Sequence, residues 1–538
     1  MEYVVTIDAV NISTLAAKTF YFAGGIGFTS SPSSSPANTF FDPRLNRPYE
    51  ARRDMFDKST TYGAVSMGAG EITLNNTDGF LDSFCTDYAI NGRDVKVYVS
   101  ENWSNNFPSD YTLVGKAKAV LAQSNDKAVR VSLKDKMKDL DKPLLQSKYL
   151  GNNLLPFGTE GVEDDLKERR KPRVYGRVLN ISPYFVNTAR LIFQVSDKPC
   201  AVTALYSRGV AWASDGNYAA FNDLQNDALE PAQSKYKVYS GSEGTYIRLG
   251  SIPAGTLTCD AESSEQRASE LIKTIALDGG ISVGDINNAD FTALNVYAYP
   301  CGVWVTEETT SAQAMSIVAS AIGAYFSFDR FGVLRLGRLE LPTTATLSLY
   351  EDQYMMFDLM STSDADEGIP AKTLTLQYAK NYTPQTDLDD TAASARSSFA
   401  KIEYRKATVN NASAAALYAN APEMELQTSL INYADAAFEA ARRIALLQHK
   451  RSILGEGCTG AQARRPITAI ARHRPRHKKT RRAPGAGGRL PRAEPQSACL
   501  RRKAGMSSSS MPPEDRASTR AAALVRLLRH TVGTFIPV

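Results

Sequence analysis

Histidine is absent from residues 1–448. The four in the chain are His449, His473, His477 and His530. That gap excludes a Ser-His-Asp or Cys-His nucleophile from most of the molecule, because both need an imidazole base. It also removes the common imidazole-ligated zinc and iron sites. Cysteine is sparse: Cys85, Cys200, Cys259, Cys301, Cys458 and Cys499 are widely spaced, with no CxxC pair. Neither a disulfide framework nor a metal cluster is expected, and scattered reduced thiols are. No run of 18 apolar residues occurs, so no helical membrane span is expected. The opening Met1–Asp8 alternates like a strand and does not read as a secretory signal. No catalytic, cofactor-binding or metal-ligating residue stands out. The chemistry left open is carboxylate-only, as in a glycosidase pair.

What is present divides the chain near residue 450. All 25 tyrosines and the three tryptophans, Trp103, Trp212 and Trp304, lie before that point. Residues 451–538 hold 19 basic and four acidic side chains, a net charge of +15. The whole chain carries +5, so residues 1–450 carry −10. An acidic, aromatic-rich body precedes a basic, aromatic-poor tail.

At 538 residues the chain is expected to hold about three to five domains. Its wealth of Tyr, Val, Thr and Gly favours sheet. Residues 1–150 read as a β-rich domain. Val95, Val97 and Val99 alternate in one strand, residues 128–133 form another, and Asn75–Gly79 makes a turn. Residues 30–36 (SSPSSSP) read as a flexible or extended loop, and residues 151–172 as a solvated polar linker. Residues 173–262 read as a second β-rich domain. An α+β domain follows over 263–345, with a helix over 264–277. Thr310 and Gln313 form a capping-box signature there, ahead of a stripe at Met315, Val318 and Ile322 and a β-hairpin. Residues 346–450 read as a further α+β domain, with a strand at 371–380 and a helix over Asn432–His449 whose apolar face is Ala434, Phe438, Ala441 and Ala445. The fold class expected is mainly β with α+β parts: several small barrels or sandwiches, a helix-plus-hairpin unit, and a disordered basic tail over 451–538.

Three features invite a chemical reading. Glu163/Asp165 and Glu307/Glu308 are neighbouring carboxylates, the raw material of a cell-wall hydrolase, although nothing places them in a cleft. Lys167–Lys171 is a basic run that can bind phosphate, but the carboxylates of 163–165 point to self-pairing. Asp285–Asp290 loosely follows a calcium loop, yet lacks its glycine and final glutamate, and an Asx turn is the plainer reading. The tail has three readings. Residues 464–503 can serve as a nucleic-acid-binding arm, Ser518–Val532 can form a short basic helix, and the whole stretch can be the product of an out-of-frame gene segment.

Two stretches carry a family resemblance. The first is Gly70–Asp82 (GEITLNNTDGFLD) with Asn91–Val97 and Asp139–Leu144. The second is Arg170–Pro183 (RKPRVYGRVLNISP). Together with the Phe328–Leu336 hairpin, they resemble the tail-tip or baseplate hub proteins of long-tailed bacteriophages and prophages, over roughly residues 40–450. The resemblance implies a non-enzymatic virion protein, assembled in the bacterial cytoplasm, that forms a homo-oligomeric ring, a trimer, at the distal end of the tail tube. Its implied partners are tape-measure, distal tail, and fibre or tip proteins, with DNA a transient passenger. An acidic body suits a channel through which DNA slides without sticking. The family also implies a β-rich closing segment after the Asn432 helix.

Overall fold

The computed structural model describes all residues except 1, 49–50, 55–61, 126, 135, 342–353, 362–368, 448–451 and 459–538. Its architecture is mainly β. The alternating valines of the N-terminal region pair as their spacing requires. Glu2–Asn11 lies between Asp94–Ser100 and Ala17–Ala23, and the sheet continues antiparallel through Thr112–Ser124, Ala128–Lys134 and Glu71–Asn75 to Leu45–Arg47. Val95 and Val97 turn inward onto Ile7, Ile72, Leu74 and Val131. Val4, Val5, Thr6 and Ile7 are all buried, because a second aromatic cluster of Phe28, Phe41, Phe107 and Tyr111 covers the sheet's other face. Register shifts after Val97 and Ala119 bend the strands and deepen the curl.

The serine-proline stretch is not free. The Ser30 hydroxyl donates to the Pro36 carbonyl, and the Ser31 and Ser35 amides donate to Asn105 and Phe107. Backbone partners from a neighbouring loop supply the order that its own composition does not.

Two five-stranded sheets follow. One runs Val210–Ala211, Ala201–Ser207, Leu257–Glu262, Arg173–Ile181, Gly302–Val305; the other runs Tyr184–Asn187, Ile192–Ser196, Gly244–Leu249, Lys235–Gly241, Ala213–Asn217. Val174, Val178, Phe193, Val195, Ile247 and Leu249 fill the space they share. Gly176 has φ +71°, and a Cβ there would lie 2.0 Å from the Cys301 carbonyl oxygen. Only glycine allows that close crossing.

The next unit packs the helices Ala268–Asp278, Asn288–Leu294 and Ser311–Ala319 on a hairpin of Ala324–Phe328 and Leu334–Arg338. Thr310 and Gln313 form the expected capping box, and Met315, Val318 and Ile322 are fully buried. Gly63–Ala64 adds in parallel to the hairpin, tying N-terminal chain to this unit. Finally, Thr373–Tyr378 pairs with Arg405–Asn410 and Glu423–Gln427, and the helix Tyr433–Leu447 covers that sheet.

Three further expectations change. The linker is packed: Leu166 is buried beside Tyr149, and Tyr149, Gly151 and Asn153 bond to Arg169, Glu160 and Gly161. Its polar composition is spent on internal bonds. The Tyr433–Leu447 helix turns a different face inward. Ala436, Glu439, Ala440, Arg443 and Ile444 are buried, while Ala434, Phe438 and Ala441 are exposed. Charge pairing, described below, permits that choice. The tail expected to be disordered from residue 451 begins with a strand: Ser452–Cys458 is antiparallel to Tyr354–Ser361. Strand pairing therefore continues past the Asn432 helix, into the first residues of the basic stretch. The proposed nucleic-acid arm, the basic helix, and His449, His473, His477 and His530 fall outside the described residues.

Candidate functional site

The strand Tyr184–Asn187 and the strand Gly302–Val305 end side by side at one surface. Between them and the short helix Glu163–Leu166 lies an open groove of about 580 Å³, with Tyr184, Phe185 and Trp304 as its aromatic wall. Tyr184 and Trp304 meet edge to face at 6.3 Å between ring centroids. Asp165, Arg169 and Thr306 supply the polar lining. A shallower recess of about 340 Å³ adjoins it, sharing Arg169, Tyr184 and Thr306 and adding Arg170, Glu307 and Glu308. Burial raises the Tyr184 hydroxyl above its usual pKa; the Arg169 charge and a bond to Thr306 oppose that rise.

The groove gathers three of the four carboxylates that the sequence singles out. Asp165 lines one part and Glu307 and Glu308 the other, but the arrangement does not resemble an acid–base pair. Glu308 is bound to Arg170 at 3.0 Å. Glu163 points to Lys167 instead, and that bond holds its carboxyl below the usual glutamate range. A general acid at neutral pH needs the opposite shift.

The other candidates are likewise engaged. In the basic run, Lys167 pairs with Glu163, Lys171 with Glu160 at 2.5 Å, and Arg170 with Glu308 and the Leu145 carbonyl. Only Arg169 of these has no ion pair among the described residues. In the calcium-like segment, Asp285 pairs with Lys136 at 2.5 Å and Asp290 with Arg335 at 2.5 Å. Asn287 caps the following helix by accepting from the Ala289 amide. Among the described residues no group of three or more His, Cys, Asp or Glu side chains is placed to hold a metal. No described helix is long and apolar enough to cross a membrane.

Sequence reading missed the buried polar junctions. Glu439 is fully buried and accepts from Arg338 at 3.0 Å, Arg442 at 2.6 Å and Arg443 at 2.6 Å. Burial opposes its ionisation, but the three guanidiniums outweigh it and keep the carboxyl below its ordinary value. Arg443 also donates to the Ser320 carbonyl at the end of the capped helix. A second junction joins Asn180, which bonds to Asn381 at 2.7 Å and to the Thr383 carbonyl, with Arg396 donating to Asn180 and facing Asp260. A third links Arg173 to Asp197 at 2.6 Å, and Tyr175 and Lys198 to Asp278. The short-range Glu439–Arg443 spacing is a helix-surface signal; nothing local signals that Arg338 joins it.

Of the stretches that carry the family resemblance, Arg170–Pro183 enters two of these junctions, and Gly70–Asp82 forms a turn braced by its own side chains. Asn180 sits in Arg170–Pro183. In Gly70–Asp82, the Asn76 side chain accepts from the Leu81 amide at 2.8 Å and donates to Asp82, while Arg44 grips Asp78 at 2.7 Å over the Phe80 ring.

No protein-family model matches the sequence, and no curated protein matches it significantly. Solved structures do align. A chain in the virion of a native gene transfer agent particle is 12% identical, aligned over 59% of this chain and 81% of that one, with a TM-score of 0.34. The 43 kDa tail protein of prophage MuSo2 from Shewanella oneidensis is 10% identical over 85% and 83%, with a TM-score of 0.33. A tail protein from Neisseria meningitidis MC58 is 7% identical over 84% and 79%, with a TM-score of 0.32. At TM-scores this low, the alignments carry no argument for what this chain does.

Proposed function

We propose that the chain is a structural component of a phage or prophage tail, forming part of the tip or baseplate hub as a homo-oligomeric ring. The observation that carries this reading is the placement of the hub-like stretches. Gly70–Asp82 and Arg170–Pro183 are spent on turns and interlocks between sheets, as suits a part that transmits load and catalyses nothing. Two of the four candidate carboxylates, Glu163 and Glu308, are tied up in ion pairs with Lys167 and Arg170, which weighs against the hydrolase alternative. The family reading brings its own partners: tape-measure, distal tail, and fibre or tip proteins. The acidic body would repel DNA passing through the ring.

Deletion of the gene in a particle-producing strain, followed by complementation, tests this. Loss of tailed particles is expected, with full rescue by a copy carrying Asp165→Asn, Glu307→Gln and Glu308→Gln. Normal particles that lose cell-wall clearing only with those substitutions would make the chain a hydrolase instead.

A further inference from the structure

The loop Leu150–Gly158 displays apolar side chains on a rigid frame. Leu150, Leu154, Leu155 and Phe157 are 63, 85, 47 and 57% exposed. The loop does not collapse onto the body because side-chain amides, the buried Asn187 among them, hold its backbone. Asn187 donates to the Pro156 and Gly158 carbonyls at 3.0 and 2.8 Å. Asn153 donates to the Val186 carbonyl at 2.6 Å and accepts from the Glu160 amide. Gly158, at φ +101°, donates to Gln225, and Arg190 lies under the Phe157 ring at 4.7 Å. A preorganised apolar projection forfeits little entropy on docking. Its four side chains leave on the order of 400 Å² of apolar surface in water, the size of patch that marks an interaction site and about half of one partner's share of a stable pair.

The loop is anchored to the same strand, Tyr184–Asn187, whose other end walls the aromatic groove. The loop also bridges Asn152 to Val162 and packs Gly151 against Glu163 and Lys167, beside the helix that lines the groove, so knob and socket are neighbours on the subunit. A ring contact needs them on different sides of the subunit; a two-fold contact needs them on the same side. Charge agrees with the second case. Asp164 and Asp165 have no ion pair among the described residues, nor does Arg169 on the groove. We propose that two copies of this chain pair about a two-fold axis, with the Leu154–Phe157 tip of each seated in the Tyr184–Trp304 groove of the other and Asp165 facing the partner subunit's Arg169. This contact is separate from the ring, and its failure would leave the tail reading standing.

The test is sedimentation equilibrium of the full chain over a concentration series, with circular dichroism to verify folding. A reversible two-copy step is expected. Leu154→Ser with Phe157→Ser should weaken it at least about tenfold without altering the spectrum, since both side chains are exposed. Asp165→Arg and Arg169→Asp should each weaken it similarly, because each puts like charges across both halves of the contact. An equimolar mixture of those two variants should pair again, since both contacts in the mixed pair are then complementary. A wild-type chain without the two-copy step, a step indifferent to all these changes, or single charge variants that do not recover on mixing would each overturn the proposal. So would a monomer whose loop, dependent on Leu154 and Phe157, binds phosphatidylcholine vesicles instead.

Discussion

The N-terminal sheet and the C-terminal helix are held in place by different means. In Glu2–Asn11 and its neighbours, burial falls on Val5, Ile7, Val95, Val97, Val129 and Val131, and pairing is between strands. In Tyr433–Leu447, the inward face includes Glu439 and Arg443, while Phe438 stays in water. The first region is specified by apolar area and tolerates graded damage. The second is specified by compensated charge, where losing one partner strands the others in low dielectric.

Four perturbations separate the two regimes. Glu439→Ala should have the largest effect. It leaves the buried Arg443 without its carboxylate and Arg338 with Glu340 alone, and should cost about 3–5 kcal/mol, the penalty of breaking a buried pair, measured by urea unfolding. The pH dependence has a defined sign. The folded Glu439 carboxyl titrates below its ordinary value of 4.5. Its stabilisation is therefore present above that value and fades as pH falls through the depressed folded one. The stability gap between the native chain and Glu439→Gln should be full at neutral pH and shrink in acid.

Next is Leu74→Ala in the N-terminal core. It removes a fully buried side chain and should cost about 2–5 kcal/mol, with no change in the gap between pH 7 and acid. A strongly pH-dependent cost at Leu74 would erase the contrast. Thr310→Ala removes the hydroxyl that accepts from the Gln313 amide at 3.2 Å. It should cost about 1 kcal/mol, read as a lowered melting temperature. Phe438→Ser should change stability by no more than about 0.5 kcal/mol, as an exposed substitution does. A large loss there would restore the apolar face read from the sequence.

The same contrast explains what was legible. Val95–Val97, the Asn75–Gly79 turn and the Thr310–Gln313 box declare themselves over a few residues, and each is in place. Thr373–Tyr378 and the Phe328–Leu336 hairpin are equally local. The junctions are not, since Asn180 meets Asn381 and Arg338 meets Glu439 across long stretches of chain. Periodicity ranks Phe438 above Glu439 for burial because it cannot register a guanidinium delivered from another element. The linker was misread for a related reason. Its charges look solvated in sequence but pair with one another around a buried Leu166. The groove was half visible: Asp165, Glu307 and Glu308 could be named from sequence, while their convergence needed the two strands that end beside Tyr184 and Trp304.

The central claim concerns location. Gold-labelled antibody raised against residues 173–340, applied to purified particles under negative stain, measures it most directly. Gold confined to the distal end of the tail is the result expected. Gold on the capsid or along the whole tube, or particles that carry none of the chain, would contradict the assignment.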